Sequence, residues 1–532
     1  MFIASHEPSN PSSSELIPLE GPYAASVPGM RPPELKKVTE MTQLLEAPPS
    51  MDAVGNWIGG SWNTNGTVHE SIDPSTGKAI GKFVSAGRAE ADAAISAARI
   101  AFDTSDWSRL ASARSKALSE FAENLAARAE DVAEMLSREN GKLRGETAWE
   151  VGFAIDWLRY AAATTMTHVD GRAGSPVPGL YFHAVPEAAG VAGVIVPWNS
   201  PIVLMVRVIG PALAAGCTVV VKLPGQTALT NALIGEVVAA TTSIPAGVLN
   251  ILTEAGNEVA PRLVESPDVD VLSYTGSTVV GRAIAAAAAP TVKRVDLELG
   301  GKTPLIVFDD VTIDHVVPAL VAACTLMNGQ FCLTGSRVLV HRAVADELRT
   351  KLTAALEAVR VGPAEDPASQ LGPLIDKASV ARVDKLVEEA TSYAKVLLRG
   401  GPTDDPALAG GAFYRPTLLE VDDVNVPVVQ QELFGPVQTF EVFNDDADAI
   451  RLANATPYGL GASIFTGNDL RARRIGREIR AGLIWFNTWG AATEHFEAVG
   501  VKQSGYGKPW GPAALETFQN LKVYVTAEPP SQ

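Results

Sequence analysis

The stretch 191–221 constrains the fold of this chain more than any other segment, because Arg207 is its only charged residue. An apolar stretch of this length raises the question of a membrane span. Pro197, Pro201 and Pro211 interrupt it, so we predict a strand, a loop, a helix and a second strand. Strands that are apolar along nearly their whole length are typical of a parallel sheet covered on both faces.

Short apolar segments continue to alternate with helical ones after this stretch. A first group of predicted strands comprises 191–196, 218–222, 248–252, 271–274 and 295–299, and a second comprises 304–308, 337–341, 438–442 and 482–485. This alternation predicts an α/β fold with a doubly wound, Rossmann-type sheet and a second α/β region. Upstream, we predict a hairpin at 56–62 and helices at 90–102 and 112–140.

Composition excludes several classes of partner. The net charge of −17 disfavours binding to nucleic acid or to an anionic membrane. The three cysteines, Cys217, Cys324 and Cys332, are an odd number and fit a reducing compartment rather than a disulfide framework. The N-terminus has no secretory signal, so we predict a cytoplasmic protein, and we predict no metal site.

Cys332 and Glu298 are the residues with the clearest chemical meaning. Cys332 lies in Asn328-Gly-Gln-Phe-Cys-Leu-Thr-Gly-Ser-Arg337, and Glu298 lies upstream in Leu297-Glu-Leu-Gly-Gly-Lys302. A thiol nucleophile needs a thiolate or a nearby base, and a thioester needs a base that activates water. Taken alone, a cysteine is usually a small buried hydrophobic residue, and a glutamate is usually a solvated surface charge. The case for a catalytic pair therefore rests on the motifs around these two residues.

Four further motifs stand around this pair: Val196-Pro-Trp-Asn-Ser-Pro201, Lys222, Thr275-Gly-Ser-Thr-Val-Val-Gly281 and Glu432-Leu-Phe-Gly-Pro-Val437. The segments around Cys332 and Glu298 and these four motifs have the order and near the spacing found in the aldehyde dehydrogenase superfamily. Together they resemble that superfamily over nearly all of residues 50–528. The resemblance implies oxidation of an aldehyde, a small-molecule substrate, to a carboxylate with NAD or NADP.

The resemblance also implies a division of the chain. Residues 51–168 and 189–299 would form the cofactor-binding domain and 300–505 the catalytic domain. Segments 169–188 and 515–528 would be strands of a small β element that pairs between subunits of a homodimer or homotetramer. Residues 1–50, rich in Pro and Ser, are predicted to be a flexible arm with a helix at 34–45.

By resemblance, Cys332 attacks the aldehyde carbon to give a thiohemiacetal and then a thioester. Glu298 activates the water that hydrolyses the thioester, and Asn199 donates to the developing oxyanion. Partial burial is expected to raise the pKa of Glu298. Two alternatives stay open, since Asn199 can cap the helix that begins near Pro201, and Glu298 can pair with Lys302 or Arg294.

The usual Gly-x-Gly-x-x-Gly fingerprint of dinucleotide binding is absent. The resemblance implies cofactor contacts from Val196, Trp198, Lys222, Gly225, Gly256, Gly276, Ser277, Leu299, Glu432 and Phe434. Gly276 and Ser277, at a helix start, can place N–H groups against a pyrophosphate. Family members that prefer NAD often carry a glutamate three residues after the lysine, where this chain has Gly225, so the choice between NAD and NADP stays open.

A buried lysine and its partner glutamate, common in the family, are both missing. Val208 and Pro509 stand at their positions. Because a buried charge without its partner is costly, joint loss is the expected outcome. We therefore expect no proton relay through that pair, which leaves Glu298 to act with water alone.

The positions that resemble substrate contacts are Arg207, Phe331, Leu333, Trp489, Ala492 and Ala498. The two alanines replace common aromatics and predict a wide mouth, while Phe331, Trp489 and Phe496 offer surface for a bulky or aromatic aldehyde. Arg207 can attract an anionic or polar tail, or pair with Glu494 or Glu497, and we favour the ion pair.

Two other functions compete with this interpretation. In a CoA-acylating dehydrogenase, thiolysis would replace hydrolysis, and the presence of Glu298 argues against it. A non-catalytic scaffold of the same family would be expected to lose the nucleophile, whereas this chain retains Cys332.

Overall fold

The computed structural model describes residues 53–167 and 171–527. The predicted arm 1–50, with its helix at 34–45, lies outside the described residues.

Helices and strands alternate along the described chain from Asn56 onward. The first elements are β1 (Asn56–Ile58), β2 (Ser61–Asn63), β3 (Thr67–Asp73), β4 (Lys78–Ser85), α1 (Arg88–Thr104), α2 (Ala111–Ala127), α3 (Ala129–Asn140), α4 (Arg144–Thr164), β5 (Arg172–Val177) and β6 (Leu180–Ala188). Next come β7 (Val191–Ile195), α5 (Pro201–Ala215), β8 (Thr218–Pro224), α6 (Ala228–Ala240), β9 (Leu249–Glu254), α7 (Val259–Glu265), β10 (Val271–Thr275), α8 (Thr278–Ala288) and β11 (Arg294–Glu298).

The remaining elements follow β11. They are β12 (Pro304–Val307), α9 (Ile313–Thr325), β13 (Arg337–His341), α10 (Ala345–Glu357), α11 (Lys377–Ala390), β14 (Lys395–Leu398), β15 (Gly401–Pro402), β16 (Tyr414–Arg415), β17 (Thr417–Glu420), α12 (Pro427–Gln430), β18 (Val437–Phe443), α13 (Asp446–Ala453), β19 (Gly461–Phe465), α14 (Asp469–Glu478), β20 (Leu483–Phe486), β21 (Gly505–Tyr506), α15 (Ala514–Thr517) and β22 (Gln519–Ala527).

An eight-stranded sheet has the order β2-β1-β9-β8-β7-β10-β11-β21. Its five inner strands, β9 to β11 in that order, are parallel, and antiparallel strands flank them. From β7 the chain adds β8 and then β9 on one side. It then crosses back and adds β10 and β11 on the other side of β7, so the order reverses between β7 and β10. Ligands of such sheets bind beyond the carboxyl ends of the strands at this reversal. The predicted doubly wound sheet is confirmed.

A seven-stranded sheet has the order β14-β17-β18-β13-β12-β19-β20 and is parallel except for its edge strand β14. Every strand of the second predicted group lies in it. The segment 299–303 leads directly from β11 of the first sheet into β12 of the second. The assignment of the two sheets to a cofactor and a catalytic domain stays a prediction.

A separate three-stranded sheet has the order β22-β6-β5. The predicted terminal strand is therefore present, and it pairs with β6 of the same chain from Gln519 opposite Ala188 to Ala527 opposite Leu180. Nearly every residue of β22 is exposed. Pairing of this element between subunits stays a prediction.

The single helix predicted at 112–140 is wrong, because the structure has two. Arg128 separates α2 from α3 with non-helical angles of φ −113° and ψ 11°. Its guanidinium contacts Asp131 at 2.7 Å and Glu236 of α6 at 3.0 Å. The apolar spacing continues across the break, so the sequence pattern concealed it.

The apolar stretch 191–221 forms β7, α5 and most of β8, as predicted. All residues of α5 are buried, including Arg207. Across the described ranges, no helix combines the length and the apolar character that crossing a membrane requires.

Candidate active site

The loop after β7 is fixed by a buried ion pair. Glu150 of α4 accepts hydrogen bonds from the backbone N–H groups of Ile202 (2.8 Å) and Val203 (3.2 Å) at the start of α5. Lys142, also buried, pairs with the second oxygen of Glu150. These contacts satisfy N–H groups that a helix start leaves free, and they set the position of the residues just before α5.

Asn199, in that loop, contacts the segment that carries Cys332. Its side chain is buried, and Nδ2 donates to the carbonyl oxygen of Gln330 at 3.0 Å. The alternative role as a helix cap is wrong, since no side chain caps α5 at its N-cap position and Glu150 bonds its first N–H groups. The bond to Gln330 leaves one amide N–H of Asn199 for another acceptor.

The segment just before Cys332 has an unusual backbone conformation. Met327, Asn328 and Gly329 have consecutive positive φ values of 51°, 59° and 70°. Such angles are costly for residues other than glycine and persist where their surroundings hold them. The Asn328 amide donates to the carbonyls of Gly141 (2.9 Å) and Pro373 (2.8 Å). Sequence reasoning assigned no role to Asn328, although asparagine tolerates this conformation better than most residues.

Glu298 ends β11 and is buried, 6% exposed. Burial raises the pKa of its carboxyl to about 8, as the sequence led us to expect in direction. Neither alternative ion pair forms in the described part of the chain: Arg294 donates instead to the carbonyls of Thr517 and Gln519, at 2.8 and 2.7 Å.

The segment after Glu298 brings three of the predicted site residues together. A Cβ at Gly301 would lie 2.1 Å from the carbonyl oxygen of Cys332, so the close approach of the two backbones requires glycine. The N–H of Gly301 donates to Oε1 of Glu432 at 3.0 Å. Glu298, Cys332 and Glu432 therefore surround one short backbone segment, although they are distant in sequence.

The three cysteines differ in accessibility. Cys217 and Cys324 are fully buried, as expected for core thiols, whereas Cys332 is half-buried. The pKa of the Cys332 thiol is raised to about 12, chiefly by burial and also by the nearby Glu432 and Glu298, while the charge of Arg207 acts to lower it. A thiolate at this position depends on positive charge or on a base close by.

Arg207 supplies positive charge to this region. It is 5% exposed, donates from Nη2 to Oγ1 of Thr275 at 2.8 Å, and lies 6.0 Å from the ring centre of Trp510. Its charge lowers the pKa of Glu298 as well as that of Cys332.

The ion pair that we favoured for Arg207 is wrong. In the described ranges Arg207 pairs with neither candidate partner: Glu497 accepts from the N–H of Ala513 at 3.2 Å, and Glu494 contacts His495 at 3.4 Å. The side chain turns inward from α5 toward β10, where the half-buried hydroxyl of Thr275 accepts its hydrogen bond.

Asp296 is a charged neighbour that sequence reasoning missed. It is 2% exposed and lies two residues before Glu298, so both side chains are on the same face of β11. Its Oδ2 accepts from the Ser273 hydroxyl at 2.9 Å, and burial raises its pKa to about 6. Its charge raises the pKa of Glu298. A carboxylate inside an apolar strand was the signal available in the sequence.

The expectation that Glu298 acts with water alone stays a prediction. Val208 and Pro509 lack the usual charges. Arg207, from the helix position next to Val208, and Asp296, from the strand, are nonetheless charged neighbours that shift the pKa of Glu298 in opposite directions.

Residues predicted to contact the pyrophosphate lie at the reversal of the first sheet. Ser277 caps α8, its Oγ accepting from the N–H of Val280 at 3.4 Å. A Cβ at Gly276 would lie 2.2 Å from the Tyr274 hydroxyl, and Leu299 fills the space beside Gly281. A helix N-terminus at the carboxyl edge of a parallel sheet fits a bound pyrophosphate.

The other predicted cofactor positions flank this crevice. The rings of Trp198 and Phe434 meet edge to face at 5.5 Å, and Val196 donates its N–H to the carbonyl of Lys222 at 3.1 Å. A Cβ at Gly256 would meet no protein atom within 4 Å, which leaves room for a ligand there. The described residues therefore fit an extended dinucleotide.

The predicted substrate positions separate into two groups. Phe331 and Trp489 meet edge to face at 6.2 Å, and Trp489 donates from Nε1 to the carbonyl of Leu333 at 3.0 Å, so these three lie beside Cys332. Ala492 is exposed, whereas Ala498 is 6% exposed and packs in the hydrophobic core.

Comparisons with known proteins point to one family. The sequence model of the aldehyde dehydrogenase family matches residues 62–524. The chain is 37% identical over 490 residues to the 2-hydroxymuconic semialdehyde dehydrogenase of Pseudomonas sp. (strain CF600), covering 89% of this chain and 99% of the relative. It is 33% identical over 478 residues to the betaine aldehyde dehydrogenase of Bacillus subtilis (strain 168), covering 89% and 97%. The structure of betaine aldehyde dehydrogenase from Staphylococcus aureus in complex with NAD+ matches with a TM-score of 0.88 and 30% identity, over 90% of this chain and 96% of that one.

Proposed function

Because this chain belongs to the aldehyde dehydrogenase family, we propose that it oxidises an aldehyde to a carboxylate with NAD or NADP through a covalent bond to Cys332. The observation that carries this proposal is the contact of Asn199 and of the segment after Glu298 with the backbone around Cys332. These contacts support the proposal because they bring a thiol, an amide donor and a carboxyl group of raised pKa close together.

In the first step, the Cys332 sulfur bonds to the aldehyde carbon and the carbonyl oxygen gains negative charge. The free N–H of the Asn199 amide and the backbone N–H of Cys332 would donate to that oxygen. One such donor typically contributes about 2.7 to 4 kcal/mol to the stability of the transition state. The product of this step is a thiohemiacetal.

Oxidation of the thiohemiacetal gives a thioester. The nicotinamide, when bound, accepts the hydride that leaves the substrate carbon. Glu432 and Phe434 would hold the nicotinamide ribose and ring, while Gly276 and Ser277 would bind the pyrophosphate. The position of Glu432 against Gly301 supports this role, because it places the carboxylate next to the backbone of Cys332.

Hydrolysis then releases the product. The Glu298 carboxylate takes a proton from water as the water oxygen bonds to the thioester carbon, and the Cys332 thiolate leaves. The presence of this buried carboxylate beside the nucleophile favours hydrolysis over transfer to CoA.

Arg207 and Asp296 act on these steps as positioning residues. The Arg207 charge favours the thiolate that attacks and the Glu298 carboxylate that activates water, whereas Asp296 opposes ionisation of Glu298. The two charges would therefore partly cancel each other's effect on the pKa of Glu298, which is buried.

The substrate we propose is a bulky or aromatic aldehyde. The rings of Phe331 and Trp489, next to Cys332, support apolar contact with such a group. We also propose a cytoplasmic enzyme that forms a homodimer or homotetramer through the exposed sheet β22-β6-β5.

A panel of aldehydes, scored by kcat/KM with NAD and with NADP, tests this function. We expect cofactor reduction with at least one aldehyde and recovery of the matching carboxylate; acyl-CoA formed on adding CoA would support the acylating alternative instead. No reduction with any aldehyde, together with no change of melting temperature at saturating NAD or NADP, would support the scaffold alternative.

A further inference from the structure

Lys222 and Glu254 lie at the carboxyl ends of two adjacent parallel strands, β8 and β9. In the register of these strands, Lys222 is opposite Leu252 and Pro224 is opposite Glu254. The distance from Lys222 Nζ to Glu254 Oε2 is 3.9 Å. This carboxylate therefore lies beside Lys222, which the resemblance to the family implies contacts the adenosine ribose of the cofactor.

The two oxygens of Glu254 have different surroundings. Oε1 accepts hydrogen bonds from the N–H of Glu258 and from that of Val259, the latter at 2.7 Å, at the start of α7. Oε2 is buried and accepts no hydrogen bond from any residue in the described ranges. Because buried polar atoms are nearly always bonded, this oxygen is an acceptor that lacks a donor.

A side chain at residue 225 would be crowded by its neighbours. A Cβ at Gly225 would lie 3.0 Å from Cα of Ala255 and 3.1 Å from the carbonyl oxygen of Glu254. Residue 256, by contrast, faces open space. A carboxylate that acts at this edge of the crevice is thus supplied by the end of β9 and not from position 225.

We propose that Glu254 makes this enzyme select NAD over NADP, its free oxygen accepting a hydrogen bond from the ribose 2′-hydroxyl. An acidic residue at a strand end commonly recognises this hydroxyl in dinucleotide sites. A 2′-phosphate has no such donor and would place its negative charge against the carboxylate, while the Lys222 charge is already compensated by Glu254. The inference rests on the proposed function and resolves the cofactor choice that Gly225 left open.

Binding measured without aldehyde tests the inference. The dissociation constants of NAD and of NADP are compared in the wild type, in Glu254→Gln and in Glu258→Gln, by quenching of protein fluorescence. Glutamine keeps an oxygen that can accept from Val259 but removes the charge. Glu258 is the matched control, because it is an exposed carboxylate four residues away.

We expect the wild type to bind NAD at least about tenfold more tightly than NADP, since like charges in contact oppose binding strongly. The ratio of the two constants should fall roughly tenfold in Glu254→Gln, through tighter NADP binding, and stay unchanged in Glu258→Gln. A purely structural role of Glu254 would weaken both cofactors equally and leave the ratio constant.

A second variant keeps the test decisive if Glu254→Gln folds poorly. In Lys222→Met the carboxylate loses its compensating charge, so discrimination against NADP should increase. Two results would overturn the inference alone: wild-type protein that binds both cofactors equally, or an unchanged ratio in both variants. Protein that binds neither cofactor would overturn the proposed function as well.

Discussion

The side-chain amide of Asn199 donates a 3.0 Å hydrogen bond to the carbonyl of Gln330, two residues before Cys332. This bond joins the loop after β7 to the segment that carries Cys332, and it leaves the second amide N–H of Asn199 for another acceptor. Asn199 is thereby held close to the cysteine that we propose as the nucleophile.

Replacing Asn199 by alanine should lower kcat by about 10²- to 10³-fold, the usual effect of losing one oxyanion donor. Steady-state kinetics with a good aldehyde measure this, and circular dichroism checks the fold. Asn124→Ala is the control, since Asn124 bonds Thr241 away from the site (3.1 Å). Equal losses in the two variants would contradict the role of Asn199.

The pH dependence of turnover should respond oppositely to Arg207 and Asp296. In the proposed mechanism hydrolysis requires the Glu298 carboxylate, so we expect its rate to rise as pH rises through the Glu298 pKa of about 8. Arg207→Met raises that pKa and should move the profile to higher pH, whereas Asp296→Asn lowers it and should move the profile to lower pH. Each unit of pKa change alters the ionised fraction about tenfold on the acid side.

Arg207→Lys controls for this pH prediction, because it retains the charge and should restore much of the wild-type profile. Arg114→Met, which removes a buried arginine bonded to the carbonyls of Ala214 (3.0 Å) and Trp107 (2.9 Å), should reduce stability without moving the profile. Shifts of Arg207→Met and Asp296→Asn in the same direction would be inconsistent with the opposing charges.

Gly256→Ala should weaken cofactor binding without reducing stability. Its Cβ would meet no protein atom within 4 Å, so the melting temperature of the free protein should not change, while a bound dinucleotide would lose its close approach to the backbone. Calorimetric titration with NAD measures the effect. Gly174→Ala, in the exposed strand β5, is the control; equal NAD affinity in both variants would place the cofactor elsewhere.

Val523→Lys should break the proposed subunit pairing. Val523 is 53% exposed in β22, and a lysine there opposes burial against a second subunit. Light scattering should show a smaller assembly than for the wild type, while Val68→Lys, at an exposed valine of β3, should leave the mass unchanged. A Val523→Lys protein of wild-type mass would exclude this face from the interface.

The sequence predicted the sheets well because their strands are short and apolar. Where short buried runs such as 218–222 and 271–274 alternate with helical segments, the periodicity and length of the apolar segments suffice to predict strands. The sequence did not predict the break at Arg128, because the apolar spacing of α2 continues into α3. The contacts of Arg128 with Asp131 of α3 and Glu236 of α6 form only in the folded chain.

Motif order identified Cys332, Glu298 and Asn199, but it could not reveal charges that meet only in the folded chain. Arg207 reaches Thr275 of β10, and Asp296 of β11 accepts a hydrogen bond from Ser273, also of β10. The positions of these two charged side chains therefore depend on how neighbouring elements pack and pair in the folded chain. Glu254 and Lys222 likewise come together only through the pairing of β8 with β9.

The burst experiment on Glu298→Gln tests the central claim most directly. Rapid mixing of this variant with aldehyde and cofactor should give one equivalent of reduced cofactor per active site, followed by turnover at least about 10²-fold slower than wild type. Cys332→Ala should give neither burst nor turnover. Normal steady-state turnover by Glu298→Gln, or a full burst from Cys332→Ala, would contradict a thioester on Cys332 that Glu298 hydrolyses.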